Sequence, residues 1–151
     1  TTASPTLFHN DIHRHISQIV TTRVGTTASP WLSSFEVGDL HSIAVSHGEG
    51  KFVVSEALAE ELFANGQVAF QYADPNGLPT TDAPHNPNGS SYGIEGIISR
   101  DGQILGKMGH TERYDDNLFK ILCIRLQTNR SGEISRRKYY CLISHTRDLQ
   151  L

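Results

Sequence analysis

The stretch from Ser55 to Asn65 constrains the fold most, because the sequence specifies both of its ends. Ser55 is suited to cap the free amides of a first helical turn, Glu56, Glu60 and Glu61 favour the early turns, and Asn65-Gly66 supplies the stop. Leu58, Ala59, Leu62 and Phe63 recur at helical spacing and predict one apolar face turned to a core. Runs with strand character flank this helix: His41 to Val45 before it, and Gln67 to Tyr72 after it, the second closed by the turn signal Asp74-Pro75-Asn76-Gly77. Ile94 to Ser99 and Gln103 to Met108 flank Arg100-Asp101-Gly102 and read as a β-hairpin. Ile12 to Val24 reads as extended in its second half, and Trp31 to Val37 as a short helical turn packing Trp31, Leu32 and Phe35 inward. Strand, helix, strand and hairpin predict an α/β domain with helices against a mixed sheet.

A chain of 151 residues suits one domain with a real core. It contains no apolar run long enough to span a membrane and opens with no basic-then-apolar leader. Two cysteines are too few for a disulfide framework, so the expected setting is reducing and cytoplasmic. A net charge of −3 offers nothing for nucleic acid. That average hides a seam. Residues 1–120 hold seven Lys/Arg against fourteen Asp/Glu, whereas residues 121–151 hold six against two and carry both cysteines. The expected organisation is therefore a domain over 1–120 and a discordant basic tail over 121–151.

The chemistry concentrates where the hairpin's second strand ends, at Gly106-Lys107-Met108-Gly109-His110-Thr111-Glu112-Arg113. A spacing of two in extended chain puts His110 and Glu112 on one side. A carboxylate that takes the proton of one imidazole nitrogen leaves the other nitrogen as a base, which is the lower half of a nucleophile–His–carboxylate relay. The thiols Cys123 and Cys141 both follow His110 and lack the glycine-bounded turn that presents a nucleophile. A metal reading draws on His9, His13 and His15, with His47, Glu49 and His110 as a hydrolase alternative, but no zinc-type spacing supports it. His13, His15 and His85 are expected at the surface.

Three blocks then combine: Val45-Ser46-His47-Gly48-Glu49-Gly50-Lys51-Phe52, Asn86-Pro87-Asn88-Gly89-Ser90, and Gly106-Lys107-Met108-Gly109-His110-Thr111-Glu112-Arg113. In order and spacing, from about Pro5 to Lys120, the chain resembles the class I (Cys–His–Glu) glutamine amidotransferase region of phosphoribosylformylglycinamidine synthase. The resemblance implies a flavodoxin-like three-layer α/β/α glutaminase domain, here incomplete at its N-terminal side, because the family's Gly-x-Cys-x-Gly elbow is not in the chain. It implies that His110 is the general base and acid, that Glu112 orients it, and that His47, with backbone contacts from Ser46, lies close to bound glutamine.

The resemblance further implies that ammonia from glutamine passes to a synthase region of the same enzyme, which binds ATP and Mg²⁺ and amidinates formylglycinamide ribonucleotide in purine biosynthesis. No cofactor or metal is implied for this fragment itself, and no nucleic acid or membrane partner. The family's His-Pro-Glu reads His110-Thr111-Glu112 here, which keeps the spacing and alters local stiffness. After Lys120 the similarity stops, as a shifted reading frame would make it do. Without its thiol the isolated chain is expected to be inactive. The alternative to a glutaminase is a non-catalytic binding or subunit-contact module on the same scaffold.

Overall fold

A computed structural model describes residues 4–113, 123–128 and 134–139. Its centre is a five-stranded sheet built from β2 (Ile16–Val24), β3 (Leu40–His47), β5 (Val68–Tyr72), β6 (Ile94–Ile98) and β7 (Leu105–Lys107), in the spatial order β3-β2-β5-β6-β7. β1 (Thr6–Phe8) pairs with β4 (Lys51–Val53) in a separate two-stranded ladder. Between β4 and β5 runs the helix α1 (Glu56–Ala64). A further antiparallel pair, β8 (Cys123–Thr128) and β9 (Ile134–Tyr139), falls within the stretch expected as a discordant tail; the rest of that stretch, Cys141 included, lies outside the described residues.

The α/β class stands, with one correction of detail. Among the described residues every ladder is antiparallel, so the expected mixed sheet is not what these strands form. Antiparallel neighbours need no crossover: β2 meets β3 through residues 25–39, which carry the Pro30–Leu32 turn, and β6 meets β7 through the short reversal at residues 99–104. The second of these is the predicted hairpin, turned at Gly102 with a left-handed φ of +73°.

α1 forms as read. The Ser55 side chain accepts from the Leu58 amide at 3.4 Å, and Gly66 follows the C-cap with a φ of +65°. Ala59 and Leu62 are buried, and Leu62 packs with Phe52, Val68 and Ile94. Phe63 stays exposed, so the apolar face is narrower than predicted.

Two further apolar clusters complete the core. Val24, Leu32, Ala69, Phe70 and Ile98 gather with Phe35 at one end, and Val20, Ile43, Val45 and Tyr72 gather with Met108 at the other. The turn at Pro30–Leu32 buries Leu32 but leaves Trp31 exposed, against expectation. Its indole N–H instead donates to the Gln103 carbonyl at 2.9 Å, which pins the ring across the domain surface.

Candidate active site at the end of β3 and beyond β7

The alternation of β3 sorts its polar residues. His41, Ile43, Val45 and His47 share the face that packs on the core, and Ser42, Ala44 and Ser46 point the other way. His47, the last residue of the strand, therefore lies on the inner face at the sheet's margin. The Ser46 hydroxyl is hydrogen-bonded to His15 Nε2 at 3.0 Å on the opposite face, so the two neighbours in sequence do not share a side-chain site.

His110 arrives from the other direction. β7 ends at Lys107, after which the chain leaves the β6 ladder and crosses to β3. Its next three amides are all taken: Met108 N–H donates to the Glu95 carbonyl at 3.0 Å, Gly109 N–H to Glu95 Oε1 at 2.5 Å, and His110 N–H to the Ala44 carbonyl at 2.8 Å. Gly109 is required by space as well. A Cβ there would sit 2.7 Å from Ile43 Cδ1 and 2.9 Å from Glu95 Oε1.

Hung in this way, the His110 ring lies beside that of His47, with centroids 5.5 Å apart and planes inclined by 30°. His110 Nδ1–H donates to Glu112 Oε1 at 2.6 Å. The pair forms in a turn rather than in the extended chain that the spacing suggested. An ionised Glu112 can only accept, and its backbone and His110 hydrogen bonds hold its carboxyl below the usual range. The proton therefore sits on Nδ1, and Nε2 carries the free lone pair. That Nε2 is buried and has no hydrogen-bond partner, and neither has His47 Nε2. Burial, with the charges of His110, His15 and Arg113, pushes the His47 imidazole down to about 4, so it is neutral at physiological pH.

The loop after His47 is clamped by residues on which the sequence reading placed no role. Asn10 is fully buried; its Nδ2 donates to the carbonyls of His47 at 2.6 Å and Arg14 at 2.9 Å, and its Oδ1 accepts from Gly50 N–H at 3.1 Å. Asn88 Nδ2 donates to the Gly50 carbonyl and to the Tyr72 hydroxyl, both at 3.1 Å, and Ser90 Oγ accepts from Phe52 N–H at 3.1 Å. Asn86 in turn closes the Asn86–Ser90 turn on itself through Ser90 N–H and the Ser90 carbonyl. The second sequence block is thus a brace for the first. A Cβ at Gly50 would strike the His47 ring and the Asn88 amide, which explains the glycine.

The metal alternative finds no constellation. Glu49 turns outward to His9 Nδ1 at 3.3 Å, and among the described residues no three His, Cys, Asp or Glu side chains converge. His13 and His15 are exposed as expected, whereas His85 is half-buried. Cys123 lies on β8, and no helix among the described residues is long and apolar enough to cross a membrane.

The missed residues left faint marks. Glu95 is a lone acid inside the apolar run Ile94–Ile98, and Asn10 stands in a polar opening segment that nothing in the sequence ties to residue 47.

The CobB/CobQ-like glutamine amidotransferase domain matches over residues 1–135. The PurQ subunit of phosphoribosylformylglycinamidine synthase from Thermomicrobium roseum is 42% identical over 113 residues, covering 73% of this chain and 46% of that protein. The corresponding subunit from Chlorobaculum tepidum is 33% identical over 139 residues, covering 92% of this chain and 54% of its own. The structure of PurLQS from Thermotoga maritima is similar with a TM-score of 0.56 at 25% identity, covering 74% of this chain and 44% of that one. The chain spans about half the length of the curated relatives it matches.

Proposed function

The chain belongs to the CobB/CobQ-like glutamine amidotransferase family, and from that premise we propose that it carries the proton-shuttling half of the glutaminase of phosphoribosylformylglycinamidine synthase. The observation that carries this reading is the His110–Glu112 pair: an imidazole held at Nδ1 by a carboxylate, with a buried, unpartnered lone pair at Nε2. In this reading a cysteine thiol, contributed from the part of the relatives' length that the chain does not span, is the group that Nε2 serves.

His110 Nε2 takes the thiol proton as sulfur bonds to the side-chain amide carbon of glutamine. It then returns that proton to the departing nitrogen, which leaves as ammonia, and the enzyme is left as a thioester. A water molecule, deprotonated by the same Nε2, cleaves the thioester to glutamate and restores the thiol. Glu112 fixes the tautomer throughout and steadies the imidazolium that forms twice per cycle. His47, neutral and in ring contact with His110, adds no competing positive charge beside it and borders the glutamine site. Ser46 contributes only its backbone there, since its hydroxyl is turned to His15.

The ammonia is consumed by a synthase partner that binds ATP and Mg²⁺ and converts formylglycinamide ribonucleotide to the amidine, in the cytoplasm. The test is glutamate release in the intact glutaminase containing this chain. His110→Ala should abolish it by at least about a thousandfold, because relay members act as a unit, and the isolated 151-residue chain should release none. Full activity in His110→Ala, or glutamate release by the isolated chain, refutes the assignment.

A further inference from the structure

Glu95 is the one buried carboxylate among the described residues, and the proposed mechanism does not use it. It sits in the middle of β6, between Ile94 and Gly96, only 3% exposed. Among the described residues, Tyr72 and Lys107 are the charged or titratable groups close enough to feel it. Burial of a carboxylate in such a strand is costly, and an apolar residue would pack there more cheaply. The compensation is specific: Glu95 Oε1 accepts from Gly109 N–H at 2.5 Å, while the Glu95 carbonyl takes the preceding amide, Met108 N–H, at 3.0 Å.

The geometry of the crossing explains why a side chain is needed. Between the last β7 residue paired to β6, Lys107, and the first amide bonded to β3, His110, the Gly109 N–H is the amide that no strand carbonyl takes. A buried amide without an acceptor would turn to find one, and Gly109 has no side chain to resist that rotation. His110 is the next residue. We propose that Glu95 is a positioning residue for the relay histidine, its carboxylate holding the Gly109 amide so that His110 is presented with Nδ1 on Glu112 and Nε2 toward the reacting thiol. This rests on the reading of His110 as the proton carrier.

The test pairs Glu95→Ala, which removes the acceptor, with Glu95→Gln, which keeps an acceptor oxygen at the same reach. Two readouts are taken on the intact glutaminase assembled with its synthase. The first is the imidazole Nδ1–H resonance of His110 by proton NMR, which reports the bond to Glu112 without any turnover. The second is the split between kcat and KM for glutamine. Glu95→Ala should shift or broaden the Nδ1–H resonance and lower kcat ten- to a hundredfold with KM unchanged, since an ångström of misplacement costs about that much. Glu95→Gln should restore both toward wild type.

An unchanged resonance and kcat in a folded Glu95→Ala overturns the proposal. So does a Glu95→Gln as impaired as the alanine variant, which would assign the effect to the charge. Should Glu95→Ala fail to fold, Glu95→Asp, whose acceptor is withdrawn by one methylene, carries the same expectation: lowered kcat, unchanged KM and a shifted resonance, with wild-type behaviour refuting it. A resonance that responds as expected in a protein releasing no glutamate would sustain the positioning and sink the glutaminase reading instead.

Discussion

Replacing Asn10 with alanine should destabilise the domain by about 3 kcal/mol, at roughly 1 kcal/mol for each hydrogen bond removed. Three bonds are lost: Nδ2 to the His47 carbonyl at 2.6 Å, Nδ2 to the Arg14 carbonyl at 2.9 Å, and Gly50 N–H to Oδ1 at 3.1 Å. Asn10 is fully buried, so water does not simply replace it, and the Gly50 amide is the group left most stranded. The small cavity adds to the loss and partial collapse of the opening segment subtracts from it. Urea unfolding should show a lower midpoint at unchanged m. Asn10→Asp should lose at least as much, because it sets an acceptor, and a charge, against two carbonyl oxygens. A loss below about 1 kcal/mol in Asn10→Ala would refute the reasoning, since three buried bonds cannot be worth so little unless the clamp does not form.

Two other outcomes follow from the same geometry. Glu112→Gln in the intact glutaminase should lower kcat about a hundredfold with little change in KM, measured by glutamate release, because the amide no longer enforces the Nδ1–H tautomer; its exposure places the loss at the low end for such carboxylates. His41, buried against Phe35 and Phe70 with its Nδ1 on Thr22 Oγ1 at 3.1 Å, is pushed by burial and then by Lys107 down to about 4. The unfolded chain therefore binds the extra proton between about pH 6.5 and 4, so stability is full above that window and falls by on the order of 3 kcal/mol across it. Ring-proton NMR should show the His41 titration near pH 4, and a midpoint near 6.5 would refute the burial.

What was legible beforehand was local. Ser55 and Gly66 bounded α1 because caps are written within a few residues of the ends they satisfy. The spacing of His110 and Glu112 foretold a contact, since two residues of backbone reach it in either an extended or a turned conformation. What was hidden depends on partners far along the chain. Trp31 faces outward because a carbonyl at residue 103 takes its N–H, and the separate pairing of β1 with β4 sets a wholly exposed strand against one whose single buried residue is Phe52. Asn10 is tied to His47 and Gly50, and Glu95 to Gly109, only once the strands are assembled. Strand direction is hidden for the same reason: periodicity distinguishes strand from helix and says nothing of orientation. Ser46 and His47, adjacent in a strand, turn their side chains to opposite faces, which leaves Ser46 only its backbone on the His47 side.

His47 ends β3, and His110 hangs by its amide from Ala44 of that same strand. Both imidazoles therefore share a mooring on β3, to which Glu95 of β6 adds a second one just before His110. In the glutaminase reading, the thiol would meet two rings that one strand already sets side by side.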